Sequence, residues 1–262
     1  DDSSTMTHDD TVPTLGTVGI ISNNGVNTAK SIDDNLITLT FTASEAIGTP
    51  TCDIEFNDVD ATNTETVSYS GANNIWTCTV VAHNSDADGA VTFSVGYSDT
   101  AGNAGVADET VDDSSTMTHD DTVPTLGTVG LATAGTANAN DGDQITLTFT
   151  ATETIQTPTC TFTDSASDAM AGSVTVANTG GNVWTCVLTT ANDDANGAMT
   201  FSVAFSDAAG LAGVAVTATG DSSSVTIDNT HPTLGTVGIA TAGSGNANNG
   251  DSITLTFTAT ET

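Results

Sequence analysis

Positive charge is almost absent. One basic residue, Lys30, stands against 33 acidic residues, and the net charge is −32. A nucleic-acid binder needs a basic face, and an anionic lipid surface would repel this chain, so both partner classes are excluded. No apolar run approaches the roughly 20 residues of a membrane-spanning helix. There is no CxxC pair of the kind zinc favours and no GxSxG, HExxH or phosphate-binding glycine loop. No Asn-x-Ser/Thr sequon occurs, so sequon-directed N-glycans are not expected. A secretion signal is also missing and the first residues fall inside a repeat, so the chain reads as a mature or excerpted segment.

What is present is repetition. Residues 1–19 read DDSSTMTHDDTVPTLGTVG and recur letter for letter at 112–130, with a diverged copy, GDSSSVTIDNTHPTLGTVG, at 220–238. The marker prolines Pro13, Pro124 and Pro232 are spaced by 111 and then 108 residues. A period of that size is a whole domain rather than a solenoid unit. The expected organisation is a last strand of a preceding repeat over 1–10, repeat 1 over 11–121, repeat 2 over 122–229, and the first two strands of an incomplete repeat 3 over 230–262.

Repeat 2 shows the local pattern most cleanly. In QITLTFTATE, Ile145, Leu147 and Phe149 alternate with Thr146, Thr148 and Thr150, which is a half-buried strand. Similar stretches occur at 124–131, 157–164, 172–178, 182–190 and 197–207, and a last one runs through AVTATGDSSSVTID. Gly/Asn/Asp turns separate them, and nothing reads as an amphipathic helix. The expected fold class is all-β, with tandem seven-stranded immunoglobulin-like β-sandwich domains strung end to end. Cys52 and Cys78, like Cys160 and Cys186, are 26 residues apart on the third and fifth strands. Those strands belong to opposite sheets, so a disulfide in each repeat would join the sheets and contribute roughly 3 kcal/mol. The alternative is two buried thiols per repeat.

The stretches TVPTLGTVGI, DSITLTFTATET, NVWTCVLTT, GAVTFSVGYSDTAGNAG and DNTHPTLG together resemble the bacterial Ig-like tandem repeats of large extracellular adhesins and surface fibres. The resemblance covers the whole chain. It implies a stiff stalk or filament at the cell surface, often rigidified by Ca²⁺ at domain junctions. The cysteines depart from that pattern, which has Val and Ala there. Lys–Asn isopeptide cross-links are excluded in repeat 2, which has no lysine.

Comparison of the repeats argues against catalysis and towards carboxylate chemistry. His8 and His119 occupy one position that repeat 2 fills with Ile227, and His83 becomes Ala191. A catalytic base would not be exchanged for an aliphatic residue, so the chain is not expected to be an enzyme. The acids persist instead. Asp9, Asp120 and Asp228 align, as do Asp10, Asp121 and Asn229, Glu45, Glu153 and Glu261, Asp99 and Asp207, and Asp86 and Asp194. Asn103 becomes Leu211, which argues against a role for its side chain. In a seven-strand sandwich, the loops after the second and sixth strands face the domain's own N-terminal linker. The junction of repeats 1 and 2 should then gather Asp33, Asp34, Asp86, Asp88, Asp120, Asp121, Glu153 and Asp207. Asp141, Asp143, Asp194, Asp228 and Asn229 belong to the next junction. Retained oxygen ligands beside a lost histidine favour Ca²⁺ over zinc. The competing reading is that these are ordinary Asx turn residues.

The expected function is a structural repeat segment of a large secreted or surface-anchored adhesin or fibre. Its partners would be neighbouring repeats, with glycans or cells contacted through domains outside this segment. The alternatives are a loop-mediated glycan- or protein-binding module and a passive spacer in a large secreted enzyme. The Thr/Ser-rich solvent face fits O-glycosylation or, equally, simple β-propensity.

Overall fold

The computed structural model describes residues 7–70, 74–134, 137–242 and 245–261. Repeat 1 contains β1 (Leu15–Ser22), β2 (Lys30–Ser31), β3 (Leu36–Ala43), β4 (Thr51–Phe56), β5 (Val59–Asp60), β6 (Thr66–Tyr69), β7 (Ile75–Val81), β8 (Gly89–Gly96) and β9 (Thr118–His119). Its first sheet has the order β1-β3-β7-β6 and its second β2-β9-β8-β4-β5. This is the strand partition of an immunoglobulin-like sandwich, and the parallel pairing of β2 with β9 shows the first strand crossing to the second sheet. Repeat 2 contains β10 (Gly130–Thr133), β11 (Asn138–Ala139), β12 (Gln144–Thr150), β13 (Thr159–Thr163), β14 (Val174–Gly180), β15 (Val183–Thr189), β16 (Gly197–Ala198), β17 (Thr200–Ala204) and β18 (Thr226–Ile227). One sheet has the order β10-β12-β15-β14. The facing layer is made by the pair β13-β17 and the short sheet β11-β18-β16. No helix occurs among the described residues, and none is long and apolar enough to cross a membrane.

The alternating letters of the sequence become the two faces of the sheets. Ile145, Leu147 and Phe149 are buried against Trp184, Cys186 and Leu188 of the paired strand, and Ile37, Leu39 and Phe41 against Trp76, Cys78 and Val80 in repeat 1. Each repeat has its own core, so each is an independent packing unit. Cys52–Cys78 and Cys160–Cys186 are disulfides with Cα–Cα separations of 6.4 Å. Each joins the third and fifth strands across the core.

The expected last strand of a preceding repeat over 1–10 falls mostly on residues outside the described ones, 1–6, and 7–10 form no strand. Two other sequence expectations need revision. The last segment of each repeat is not one long strand. In repeat 2 it touches the sheet at the Val203–Val216 bridge and at Thr226–Ile227, and the DSS sequence between them does something else. Ser115 Oγ accepts the N–H of Ile20 at 3.0 Å, and Ser223 Oγ accepts that of Leu131 at 2.7 Å. Asp113 and Asp221 orient those serines and press against Gly19 and Gly130, where a Cβ would collide with the carboxylate. Hydrogen bonds from the serine hydroxyls and backbone N–H groups hold Asp113 and Asp221 below the usual carboxylate range. Secondly, the first strand of repeat 2 is not continuous over 124–131, because it is reduced to a bridge at Leu126 before β10 begins at Gly130, whereas β1 of repeat 1 keeps eight residues with an irregularity between Gly16 and Gly19.

The final pair, β19 (Leu234–Thr241) and β20 (Ile253–Ala259), is an antiparallel hairpin. Ile253, Leu255 and Phe257 are 57–58% exposed, whereas Ile145, Leu147 and Phe149 at the same places in repeat 2 are at most 1% exposed. Opening the repeat 2 bridge with Cys160→Ala/Cys186→Ala should cost about 3 kcal/mol of that repeat's stability in denaturant titration. An unchanged midpoint would show that the bridge constrains nothing the core does not already fix.

Candidate functional site

The acids that recur with the repeat period collect where the linker meets two loops. Asp120 follows β9 in the linker. Glu153 lies just beyond β12. Asp207 begins the turn after β17. Each offers one carboxylate oxygen, and the three lie within 4.8 Å of one another. The same arrangement occurs one repeat earlier with Asp9, Glu45 and Asp99.

Asp207 is the anchor of the junction site. It is fully buried. Its Oδ1 accepts the backbone N–H of Gly210 at 2.6 Å and of Leu211 at 2.8 Å, which closes the turn. Its Oδ2 is buried with no hydrogen-bond partner, and so is Oε1 of Glu153. Buried polar atoms are normally satisfied, so two orphan acceptors in one acidic group mark a place for a donor or a cation. Burial pushes the carboxyls of Glu153 and Asp207 up from their ordinary values. Asp120 and Asp207 repel Glu153, Asp120 repels Asp207, and backbone N–H groups oppose the rise at Asp207. Lys30, with Nζ 3.7 Å from Asp120 Oδ2, offsets part of the repulsion. At an effective dielectric of about 20, each pair of ionised carboxylates at this spacing repels by about 3 to 4 kcal/mol. A divalent cation bound by oxygen ligands reverses that sign, and the donor set, carboxylates throughout, fits Ca²⁺.

The earlier site differs beside its buried acid. Asn103 Nδ2 donates to Asp99 Oδ2 at 2.8 Å and also to the carbonyl of Asp9 at 2.9 Å. Burial raises the Asp99 carboxyl, but the Asn103 amide and nearby backbone N–H groups outweigh it and hold the group below the ordinary carboxylate range. The side chain of Asn103 therefore has a role, contrary to the expectation from its replacement in repeat 2. Leu211 cannot donate, and this is why Asp207 keeps an orphan oxygen.

Several other expected ligands are used locally. Both oxygens of Asp86 accept backbone N–H groups, from Thr62 and His83, and those of Asp194 accept from Ala171 and Ala191. They shape turns and belong to no acidic group of three among the described residues. Asp88 accepts the N–H of Asp121 and the hydroxyl of Thr122, and Asn196 takes the N–H of Asn229 in the same way one repeat on. An amide does the job there, so the position tethers the linker and needs no charge. Asp33 accepts from Asn84 N–H, and its own N–H donates to Asp121 Oδ1. Asp34 sits at φ 63° in a turn, and exposed Asp10 pairs with His8 at 2.7 Å. Asp143 caps Asn140, Asp228 accepts from Thr230, and Asn229 donates to the carbonyls of Ala191 and Asp194. Asp141 and Asp228 line a cleft with Asn140, Asn192, Asn229 and His231. Asp228 and Glu261 belong to no group of three among the described residues. His119 is buried, with Nδ1 3.1 Å from Ser31 Oγ, Nε2 3.2 Å from Asp121 Oδ2 and its ring edge-on to Phe56. Repeat 2 places Ala139 and Ile227 at the Ser31 and His119 positions, exchanging a polar pair for an apolar one.

A third acidic group, Asp53, Glu55 and Asp60, was not anticipated. The i, i+2 spacing of the first two on a strand was the available signal. Repeat 2 has Thr161 and Thr163 at those positions, so the group does not follow the repeat.

No family model matches this chain, and no curated protein matches it. It is similar to solved structures of tandem immunoglobulin domains. The titin I-band fragment I67–I69 is 10% identical over 95% of this chain and 77% of that one, with a TM-score of 0.45. Titin domains Z1Z2 in complex with telethonin are 13% identical over 85% and 98%, with a TM-score of 0.29. A marsupial T cell receptor is 11% identical over 85% and 77%, with a TM-score of 0.42. Likenesses at this level carry no statement about function.

The Asn103/Leu211 difference can be tested by exchange. Leu211→Asn should supply Asp207 Oδ2 with the missing donor. Hydrogen bonds to charged groups contribute about 1.5 to 3 kcal/mol, so the variant should melt several degrees higher than the wild type in chelator. Its calcium affinity, read by titration calorimetry, should fall about tenfold. Identical melting of the two proteins in chelator would show that the orphan oxygen costs nothing.

Proposed function

We propose that this chain is a segment of an extracellular stalk or fibre in which sandwich repeats are joined by junctions that bind Ca²⁺. The observation that carries the reading is the Asp120–Glu153–Asp207 group. It unites the linker with two loops of the following repeat and leaves buried carboxylate oxygens without partners. A cation there ties three segments together and converts a repulsive junction into a cohesive one. The linker reaches this position under control. Asp88 holds Asp121 and Thr122, and Asp121 in turn receives the N–H of Asp33.

The disulfides support an oxidising location outside the cytosol. The net charge of −32 keeps such a fibre soluble and free of nucleic acid and anionic surfaces. Exposed Thr and Ser on the outer sheet faces offer hydroxyls to O-glycosylation. The role is structural and non-catalytic, with adhesion performed by other parts of the assembly.

The whole chain should be compared by small-angle scattering and calorimetry in calcium and in chelator. Calcium at 100 times its dissociation constant should stabilise the junction by about 2.7 kcal/mol and give a longer, narrower distance distribution. Asp120→Asn/Glu153→Gln should behave in calcium as the wild type behaves in chelator. If neither melting nor maximum dimension responds to calcium, these acids are turn residues and the stiffness has another source.

A further inference from the structure

The repeat spacing is 111 residues once and 108 the second time, and the difference lies in one loop. From Pro13 to Phe41 the chain is three residues longer than from Pro124 to Phe149 or from Pro232 to Phe257. The extra length falls between β1 and β2, in loop 23–29. That loop leaves its own repeat and touches the next one.

Asn24 organises it. Its Oδ1 accepts the N–H groups of Val26 at 2.8 Å and Asn27 at 3.3 Å, and its own N–H donates to Ser22 Oγ at 3.1 Å. The remaining amide donor, Nδ2, reaches the carbonyl of Ala209 at 2.9 Å. Ala209 lies in the turn of repeat 2 that carries Asp207. Asn24 is 5% exposed and Ala209 is fully buried. Beside this bond, Val26 lies against Gly210, where a Cβ would come within 2.8 Å of its Cγ2. Repeat 1 contains the same turn with no loop upon it among the described residues. There Ala101 is exposed, and the space beside Gly102 is open although its φ of 100° matches the 101° of Gly210. The burial at Ala209 is thus due to repeat 1 and is not intrinsic to the turn.

We propose that loop 23–29 is a clamp that docks repeat 1 onto repeat 2 through protein contacts alone. The array then contains two kinds of junction, one clamped and one without the clamp. Repeat 2 carries the short loop, reading ATAGTANA where repeat 1 reads ISNNGVNTAKS, with no Asn-Gly-Val to reach forward. The clamp also shields the Asp207 turn from water beside the cation site, but its bond and contact need no ion.

Amide hydrogen exchange of the whole chain provides the test, because turn 98–103 is an internal, unclamped reference for turn 206–211. In chelator, turn 206–211 should exchange about tenfold more slowly than it does once one hydrogen bond to the clamp is lost. Asn24→Asp removes the reaching donor but keeps the Oδ1 that shapes loop 23–29. Ala209→Val disturbs the dock from the opposite side. Both variants should bring turn 206–211 up towards the rate of turn 98–103 while leaving the core strands of both repeats protected. If the wild type in chelator exchanges as fast as Asn24→Asp, the clamp is overturned. If calcium fails to slow either turn in any of the three proteins while the variants still differ from the wild type, the cation reading falls and the clamp stands.

Discussion

The junction depends on one carboxylate. Asp207 is sealed from water, with one oxygen closing its turn and the other facing Glu153 and Asp120. The exposed surface could have carried this acid at no cost. Its hydrogen bonds close the turn after the sixth strand, and Glu153 and the linker's Asp120 come within reach of it. The rest of the repeat serves as a platform that presents the two loops at one end of a sandwich.

Much of that platform was legible in the letters. Strict alternation in QITLTFTATE and NVWTCVLTT marked two strands that are indeed neighbours, and equal cysteine spacing in both repeats placed the bridges. Aligning the repeats also separated retained acids from drifting histidines, and three retained acids, Asp120, Glu153 and Asp207, do come together. The sequence could not tell a free carboxylate from one already occupied by its own backbone. Asp86 and Asp207 both recur with the repeat. Asp86 spends both oxygens on N–H groups, whereas Asp207 spends one. That distinction depends on loop conformation, which periodicity does not encode.

Differences between the copies were as informative as their identities. Asn103 to Leu211 looked like the loss of an unimportant side chain, yet it removes a donor from a buried acid. Ser31 and His119 change together to Ala139 and Ile227, so that neither repeat leaves half of a polar pair in its core. The DSS latch on the first strand was hidden for the opposite reason. Its acids and hydroxyls resemble an ordinary polar segment until Gly19 and Gly130 are seen to admit them.

The bridges across each core have a mechanical meaning. A repeat pulled by its two ends transmits tension along the chain, and on rupture it would release its folded length as slack. The disulfide withholds the 26-residue interval between its cysteines from that slack. At roughly 3.4 Å per extended residue this is about 90 Å that each repeat never yields. In repeat 1, β5, β6 and all but the first residue of β4 lie inside the protected interval, so a repeat torn open at its edges keeps a covalently closed remnant from which the two sheets can re-form.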